Sequence, residues 1–381
     1  MAAPRKKEAV EEKACTKSFL TEMVDTLIAK AGEGTAQLLG SDGMAIKIRG
    51  VLSTQCPTID AAIGRGGVPL GRLTIIHGSE GCGKTTLALH LVAECQHQGG
   101  LAIYIDKEYK LDPDYAKGIG VDVGSLIISQ PPYLEKCLEI IDEAIEKVAR
   151  YRIESGVRVP LLVILDSMNA AISKDMYSGD YEDQTMASVA RVYSQKLPKL
   201  IPKVSQEDVA LVFISQVREK VGVMYGNKEE ICGGRAPKFH ASLILEVIRK
   251  GSMKGEDDGK KDDGKKDDGD KKRGKKDKDA EIIGNLNEVY VRKNQIAPPF
   301  KRAEFEVIYG KGIDFSGSLV RRAQALGILE KSGSWYATTE GERIGNGFTA
   351  AREALAQNDG LRGLIAERVR CASSWYSGLK P

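Results

Sequence analysis

The stretch GSEGCGKT, Gly78 to Thr85, sets a lysine and a hydroxyl behind a run of small residues and fits the pattern G-x-x-x-x-G-K-[ST]. In such a turn the backbone N–H groups of Gly78, Ser79, Glu80, Gly81, Cys82 and Gly83 wrap the β- and γ-phosphates of a nucleotide, aided by the N-terminus of the helix that follows. Lys84 then supplies a point charge to the terminal phosphates, the Thr85 hydroxyl is a Mg²⁺ ligand, and Thr86 reaches the α-phosphate. A ligand-free glycine-rich turn is the alternative for the string alone. An entering apolar run, a leaving helical pattern and the absence of proline in the turn favour the phosphate loop.

Hydrolysis needs more groups. LLVILDSM delivers Asp166 at the end of an apolar run, where a carboxylate is costly unless it faces a cation or a hydrogen-bonded water, so Asp166 is the expected partner of Mg²⁺. LAIYIDKEYKLDP ends another run with Asp106 and Glu108, and Glu108 is the choice for polarising an attacking water. Both acids simply facing solvent is the alternative. VALVFISQ ends in Ser215–Gln216, a polar pair suited to sensing a γ-phosphate. The loop beyond it carries Arg218, Lys220, Lys228, Arg235 and Lys238 around the apolar Val221, Val223, Met224 and Tyr225. Charge that neutralises a nucleic-acid backbone is thereby mixed with side chains that wedge between bases. A second loop, SKDMYSGDYEDQTMASVAR, follows Asp166 and ends in Arg191; it is acidic, so charge alone does not select it.

These residues need a scaffold that presents strand ends together. RLTIIH, LAIYID, SLIIS, LLVILD, VALVFIS and SLILEVI are near-continuous apolar runs, and helical patterns lie near 84–98, 133–150 and 183–204. Such alternation predicts an α/β fold: a P-loop ATPase core with a mostly parallel central sheet covered on both faces. Open sheets of this kind bind ligands at the carboxyl ends of their strands. Phe19, Met23, Leu27 and Ile28 recur at helical spacing, which predicts an amphipathic helix over 17–31 ahead of the core. Residues 254–280 repeat lysine and aspartate pairs, with eleven Lys/Arg against ten Asp/Glu, and read as a disordered polyampholyte between two strand-like flanks. A DNA or partner contact is the alternative for this insert, and its balanced charge favours a solvated one. From about 315 the pattern becomes helix, short hairpin, helix, a small α+β domain. The expected division is 1–50 for the N-terminal helix segment, 51–314 for the core, 315–371 for the small domain and 372–381 for a tail.

Composition narrows the class further. At 381 residues, 42% hydrophobic and 29% charged, the chain has ample material for a core. A formal net charge of +3 makes no case for nucleic acid without local clustering. Seven cysteines, odd in number and without a CxxC pair, argue against a disulfide framework or a zinc site and fit a reducing cytoplasm. No stretch approaches the ~18 apolar residues of a membrane span, and the charged N-terminus lacks the apolar segment of a signal peptide.

With these residues in place the chain resembles the RecA family of bacterial and phage recombinases. The likeness runs from about 17 to 370 apart from the insert, through GRLTIIHGSEGCGKTTL, IDKEYKLDPDYA, VILDS, ISQVREKVGVMYGN, GGRAPKFHAS, KNQIAPPFKRAEFEVIYGKGI and LEKSGSWY. It implies a RecA-type core whose filament on single-stranded DNA hydrolyses ATP with Mg²⁺, pairs with homologous duplex and exchanges strands, in a bacterial cell or phage-infected host. Glu108 then matches the catalytic glutamate, with Lys84, Gln216 and Lys293 sharing the chemistry. Asp112 and Tyr115 match the adenine contacts, and Gln216 links the γ-phosphate to DNA. Residues 174–186 and 217–237 match two DNA loops, with Met186, Arg191, Arg218, Val221, Gly222, Val223, Met224, Gly233, Gly234 and Arg235 as DNA contacts. Lys238, Phe239 and Lys293 match the subunit interface, Lys293 reaching the neighbour's ATP.

Several positions depart from the family. Gln295 stands where a second interface lysine is usual, so that either one cation fewer weakens the coupling of ATP to assembly or Arg292 compensates, and the acidic C-terminal tail is absent. Lys331 and Arg343 match basic positions of the duplex-gathering domain, whereas Phe348 replaces a lysine. Two other readings of the same core remain: a filament scaffold that recruits repair partners without strand exchange, and a hexameric helicase. The N-terminal helix, the paired loops and the 293–311 block favour the recombinase.

Overall fold

In the computed structural model, residues 4–32, 35–38, 48–179, 186–219, 229–254 and 281–373 are described. The lysine/aspartate insert and the tips of both candidate DNA loops lie outside them. The chain divides into two compact units, Met1–Lys47 and Ile48–Pro381. In the first, a helix runs Pro4–Ala31, further toward the N-terminus than the apolar spacing predicted. Lys and Glu dominate the added turns and are strong helix formers, so intrinsic propensity extends a helix that apolar periodicity marks only from 17 onward. Its Phe19, Met23 and Leu27 are exposed.

The second unit is built on a nine-stranded sheet. In chain order its strands are β1 (Arg72–Gly78), β2 (Leu101–Asp106), β3 (Leu126–Ser129), β4 (Leu161–Asp166), β5 (Val209–Gln216), β6 (Leu243–Lys254), β7 (Ile282–Asn294), β8 (Arg302–Ile308) and β9 (Gly312–Ile313). Their spatial order is β9-β8-β7-β6-β1-β5-β4-β2-β3. The six strands from β6 to β3 in that order are mutually parallel, and β7, β8 and β9 close one side antiparallel. The central parallel strands β1, β4 and β5 are buried on both faces, which is why they read as unbroken aliphatic runs rather than as alternation, whereas the edge strand β3 leaves Ile127 and Ile128 exposed. Helices α1 (Lys84–His97), α2 (Leu134–Ser155) and α3 (Met186–Gln206) connect them. One apolar cluster gathers α1 on one face around Leu87, Leu91 and Ile164; a second gathers α2 and α3 on the other around Ile141, Leu197 and Phe213.

Register is what builds the site. Gly78 pairs with Gln216, Asp166 with Ile214, and Asp106 with Asp166, so four strands end within two residues of one another at the carboxyl edge of the sheet. Strand β6 brings Val247 beside Gly78 on the other flank.

The lysine/aspartate insert leaves a long hairpin: β6 and β7 pair antiparallel from Leu243–Asn294 out to Lys254–Ile282, with irregularities that twist the ladder. Residues 315–372 fold around their own small apolar cluster, centred on Leu319, Tyr336, Ala351 and Leu355. The short hairpin expected there is a three-stranded sheet, Leu329–Ser332, Trp335–Thr338 and Arg343–Asn346, followed by two helices rather than one. The third strand, RIGN, has too little apolar alternation to announce itself.

Candidate active site

The phosphate-loop residues sit between β1 and α1, as expected from the pattern. Gly83 adopts φ +91° and Gly81 φ +69°, left-handed conformations that a side chain resists, which explains glycine at both positions. Ser79, Glu80 and Gly81 are exposed, whereas Cys82 and Lys84 are buried. The Lys84 ammonium donates to the Ser79 carbonyl at 2.6 Å and the Gly78 carbonyl at 3.1 Å, so the loop folds back over its own cation. Burial pushes the Cys82 thiol up, opposed by that nearby ammonium.

Behind the loop lies a carboxylate with two donors. Thr85 Oγ1 donates to Asp166 Oδ2 at 3.0 Å, and the Tyr104 hydroxyl donates to the same oxygen at 2.5 Å. Burial raises the Asp166 carboxyl above the ordinary carboxylate value; the two donors pull the other way. A hydroxyl and a carboxylate are hard oxygen donors of the kind Mg²⁺ takes, so Thr85 and Asp166 fit that ion.

Glu108 is the meeting point of the neighbouring strand ends. Its Oε1 accepts from Ser167 Oγ at 2.6 Å and from Gln216 Nε2 at 2.8 Å, and Lys110 stands 3.5 Å from Oε2. Asp106 serves the backbone instead: its carboxylate accepts the N–H groups of Glu108, Tyr109 and Leu111, shaping the turn that carries Glu108. Tyr115 places its hydroxyl 2.7 Å from Thr86, which ties the helix Pro113–Ile119 to the start of α1. Asp112 caps that helix by accepting from Asp114 N at 2.9 Å and is exposed. Val217 N donates to Gly78 O, so the chain leaving Gln216 is stitched to the entrance of the phosphate loop.

Tyr104, Ser167 and Asn169 escape sequence reasoning. Only Tyr104 leaves a signal there, a lone aromatic hydroxyl in an otherwise aliphatic strand, two residues before Asp106 and hence on the same face.

Family models for the RecA N-terminal domain and the RecA C-terminal domain match residues 19–267 and 317–377 of this chain. The chain belongs to the RecA family. It is 38% identical over 341 residues to Protein RecA of Cereibacter sphaeroides, spanning 90% of this chain and 89% of that protein. It is 39% identical over 347 residues to Protein RecA of Chlorobium limicola, spanning 91% and 89%. Protein RecA of Chlorobaculum tepidum is 36% identical over 369 residues, covering 97% of this chain and 96% of the relative. A crystal structure of the RadB recombinase aligns with 69% of this chain and 98% of its own, at 18% identity and a TM-score of 0.46. Among the described residues of this RecA-family chain, no helix is long and apolar enough to cross a membrane.

The other residues matched to RecA fall into separate groups. The loop after Gln216 begins and ends in a two-residue antiparallel ladder, Arg218–Glu219 with Glu229–Glu230. Val221, Gly222, Val223 and Met224 lie outside the described residues. Gly233 and Gly234, at φ +86° and +75°, lead into the helix Arg235–His240. A β-carbon on Gly233 meets the Tyr193 ring at 2.7 Å, so glycine is required there twice over. Arg191 and Arg235 are exposed, and Met186 opens α3.

Lys293 donates to the carbonyls of Lys238 and Phe239 at 2.9 and 3.0 Å, at the end of that short helix. Loss of hydration lowers the Lys293 ammonium below its ordinary value. Phe239 is 78% exposed. Gln295 holds the Ser242 carbonyl through its backbone N–H, and Arg292 pairs with Glu246 at 2.5 Å while stacking on Tyr290. In the C-terminal cluster Lys331 lies over Tyr336, Arg343 over Trp335 and Arg321 over Phe348. Phe348 thus takes part in a stacked pair with a cation instead of supplying one.

Proposed function

We propose that this protein is an ATP-dependent DNA recombinase: it assembles on single-stranded DNA, hydrolyses ATP in response, and exchanges strands with homologous duplex. The observation that carries the reading is the Glu108–Gln216 contact. One carboxylate oxygen at the level of the phosphate loop is held by the residue from which the basic, apolar loop departs. A change at the terminal phosphate felt by Gln216 therefore reaches that loop through its own backbone.

In this reading the loop N–H groups and Lys84 bind the triphosphate, and Tyr115 and Asp112 take the base. Thr85 and Asp166 hold Mg²⁺, which when bound offsets negative charge on the phosphates. Glu108, oriented by Ser167 and Gln216, accepts the proton of the attacking water. Arg191, Gly233, Gly234 and Arg235, with the loop that begins at Arg218, contact DNA. Phe239, Lys238 and Lys293 form the junction with the next subunit, where Lys293 leaves its carbonyl partners for the neighbour's nucleotide. Lys331 and Arg343 gather duplex.

The test is ATP turnover with and without single-stranded DNA, followed by a strand-exchange assay and electron microscopy with ATPγS. Stimulated turnover, exchange and helical filaments are expected. Rings that unwind duplex, or stimulation without exchange, overturn the reading in favour of a helicase or a scaffold.

A further inference from the structure

Strand β4 ends at Asp166, and the chain then turns through Ser167 and Met168, whose N–H bonds Ile214 O at 2.8 Å. This brings Asn169 opposite the end of β5. Its side-chain amide grips one residue from both sides: Oδ1 accepts the Gln216 N–H at 2.8 Å, and Nδ2 donates to the Gln216 carbonyl at 3.2 Å. A side chain here does what another strand would do, holding the backbone two residues beyond the last pair, Asp166–Ile214, of the β4–β5 ladder. Oδ1 also lies 3.1 Å from Ser215 Oγ, which in turn accepts the Cys232 N–H at 3.3 Å. Cys232 is on the limb returning from the loop that leaves at Val217, and its thiol reaches the Met168 carbonyl at 3.7 Å. The single Ser215 hydroxyl proton has a second acceptor available, the Gln216 carbonyl at 3.2 Å, so the bridge has two hydrogen-bonded arrangements.

We propose that Asn169 is a positioning residue: it fixes the backbone of Gln216 and, through Ser215, ties it to both limbs of the loop, so that nucleotide state and loop position change together. The proposal rests on the recombinase reading above. Among the described residues no hydrogen bond links Asn169 to Lys84, Thr85 or Asp166, so its loss acts on coupling rather than on nucleotide capture.

The experiment compares wild type, Asn169→Ala and Ser215→Ala in the full-length protein. It reads ATPγS affinity without DNA, kcat and KM for ATP with single-stranded DNA, and oligo(dT) affinity with ATPγS against ADP. For Asn169→Ala the expected result is ATPγS affinity within about twofold of wild type and an unchanged KM. The DNA-stimulated kcat and the ATPγS-induced gain in oligo(dT) affinity both fall about tenfold, the scale of one or two lost hydrogen bonds at a part-buried site. Ser215→Ala removes the hydroxyl that bridges Asn169 to Cys232 but leaves both Asn169–Gln216 bonds, and lowers the gain in oligo(dT) affinity about threefold, which keeps the test decisive if the first variant does not fold. ATPγS affinity falling in parallel with coupling, or both variants coupling like wild type, overturns the proposal. If wild type itself shows no stimulation and no nucleotide-dependent oligo(dT) affinity, the recombinase reading fails first and the clamp with it.

Discussion

Replacing Tyr104 by Phe removes one oxygen from a side chain that is 1% exposed and leaves its ring packing intact. The oxygen lost is one of two donors to Asp166 Oδ2, leaving Thr85 Oγ1 at 3.0 Å as the other. A hydrogen bond to an ionised partner contributes about 1.5–3 kcal/mol, and the phenol no longer has to be desolvated, so the net cost at neutral pH is about 1.5 kcal/mol. The sign of the pH dependence follows from Asp166. Burial already raises its carboxyl in the folded protein, and removing a donor raises it further. A raised carboxyl contributes stability below its unfolded value of about 3.9 that is lost as pH climbs through the folded value. The Tyr104→Phe penalty is therefore largest where Asp166 is ionised, near pH 7.5, and shrinks toward pH 4. Urea unfolding of both proteins without nucleotide, at those two pH values, reads this directly. A penalty below about 0.5 kcal/mol at pH 7.5, or one that does not change with pH, refutes the view that this hydroxyl stabilises the charged carboxylate.

Glu108→Gln keeps an acceptor for Ser167 and Gln216 but removes the base, so DNA-stimulated kcat should drop by about 10²–10⁴ with ATPγS binding retained; turnover within a few-fold of wild type removes Glu108 from that role. His90 is buried, accepts the Ile313 N–H at 2.8 Å, and is lowered by burial to about 4. Its contribution is present above the unfolded value of about 6.5 and disappears as pH falls toward 4, a loss of about 3 kcal/mol. His90→Gln should flatten the stability profile between those limits, and an unchanged acid slope contradicts the assignment. Lys293→Ala should largely abolish DNA-stimulated ATP turnover while single-subunit nucleotide binding persists; near-normal turnover sinks the intersubunit role.

The sequence makes some of this architecture plain and hides the rest for physical reasons. The central parallel strands are legible because burial on both faces demands unbroken aliphatic runs, and those runs end at Gly78, Asp106, Asp166 and Gln216. The phosphate loop is legible because its glycines answer to backbone angles that no other residue adopts cheaply. The contacts made by Tyr104, Ser167 and Asn169 are not legible, since each joins segments 46 to 62 residues apart and depends on sheet order rather than spacing. The short helices Pro57–Ile63 and Pro113–Ile119 begin at prolines that cannot be told from turn prolines without their caps. Phe348 reads as a missing cation; in the fold its ring is covered by the Arg321 guanidinium, 4.4 Å from the ring centroid.

The long hairpin of β6 and β7 has a consequence for its apex. Its ladder continues, through three register shifts, out to Lys254–Ile282, seven residues past the Val247 that flanks Gly78, or about 23 Å along the strand at ~3.3 Å per residue. Lengthening a flexible connection fivefold costs only about 1.4 kcal/mol of closure entropy. Chain length added at the apex therefore costs the sheet little, and distance along the ladder separates it from the nucleotide edge.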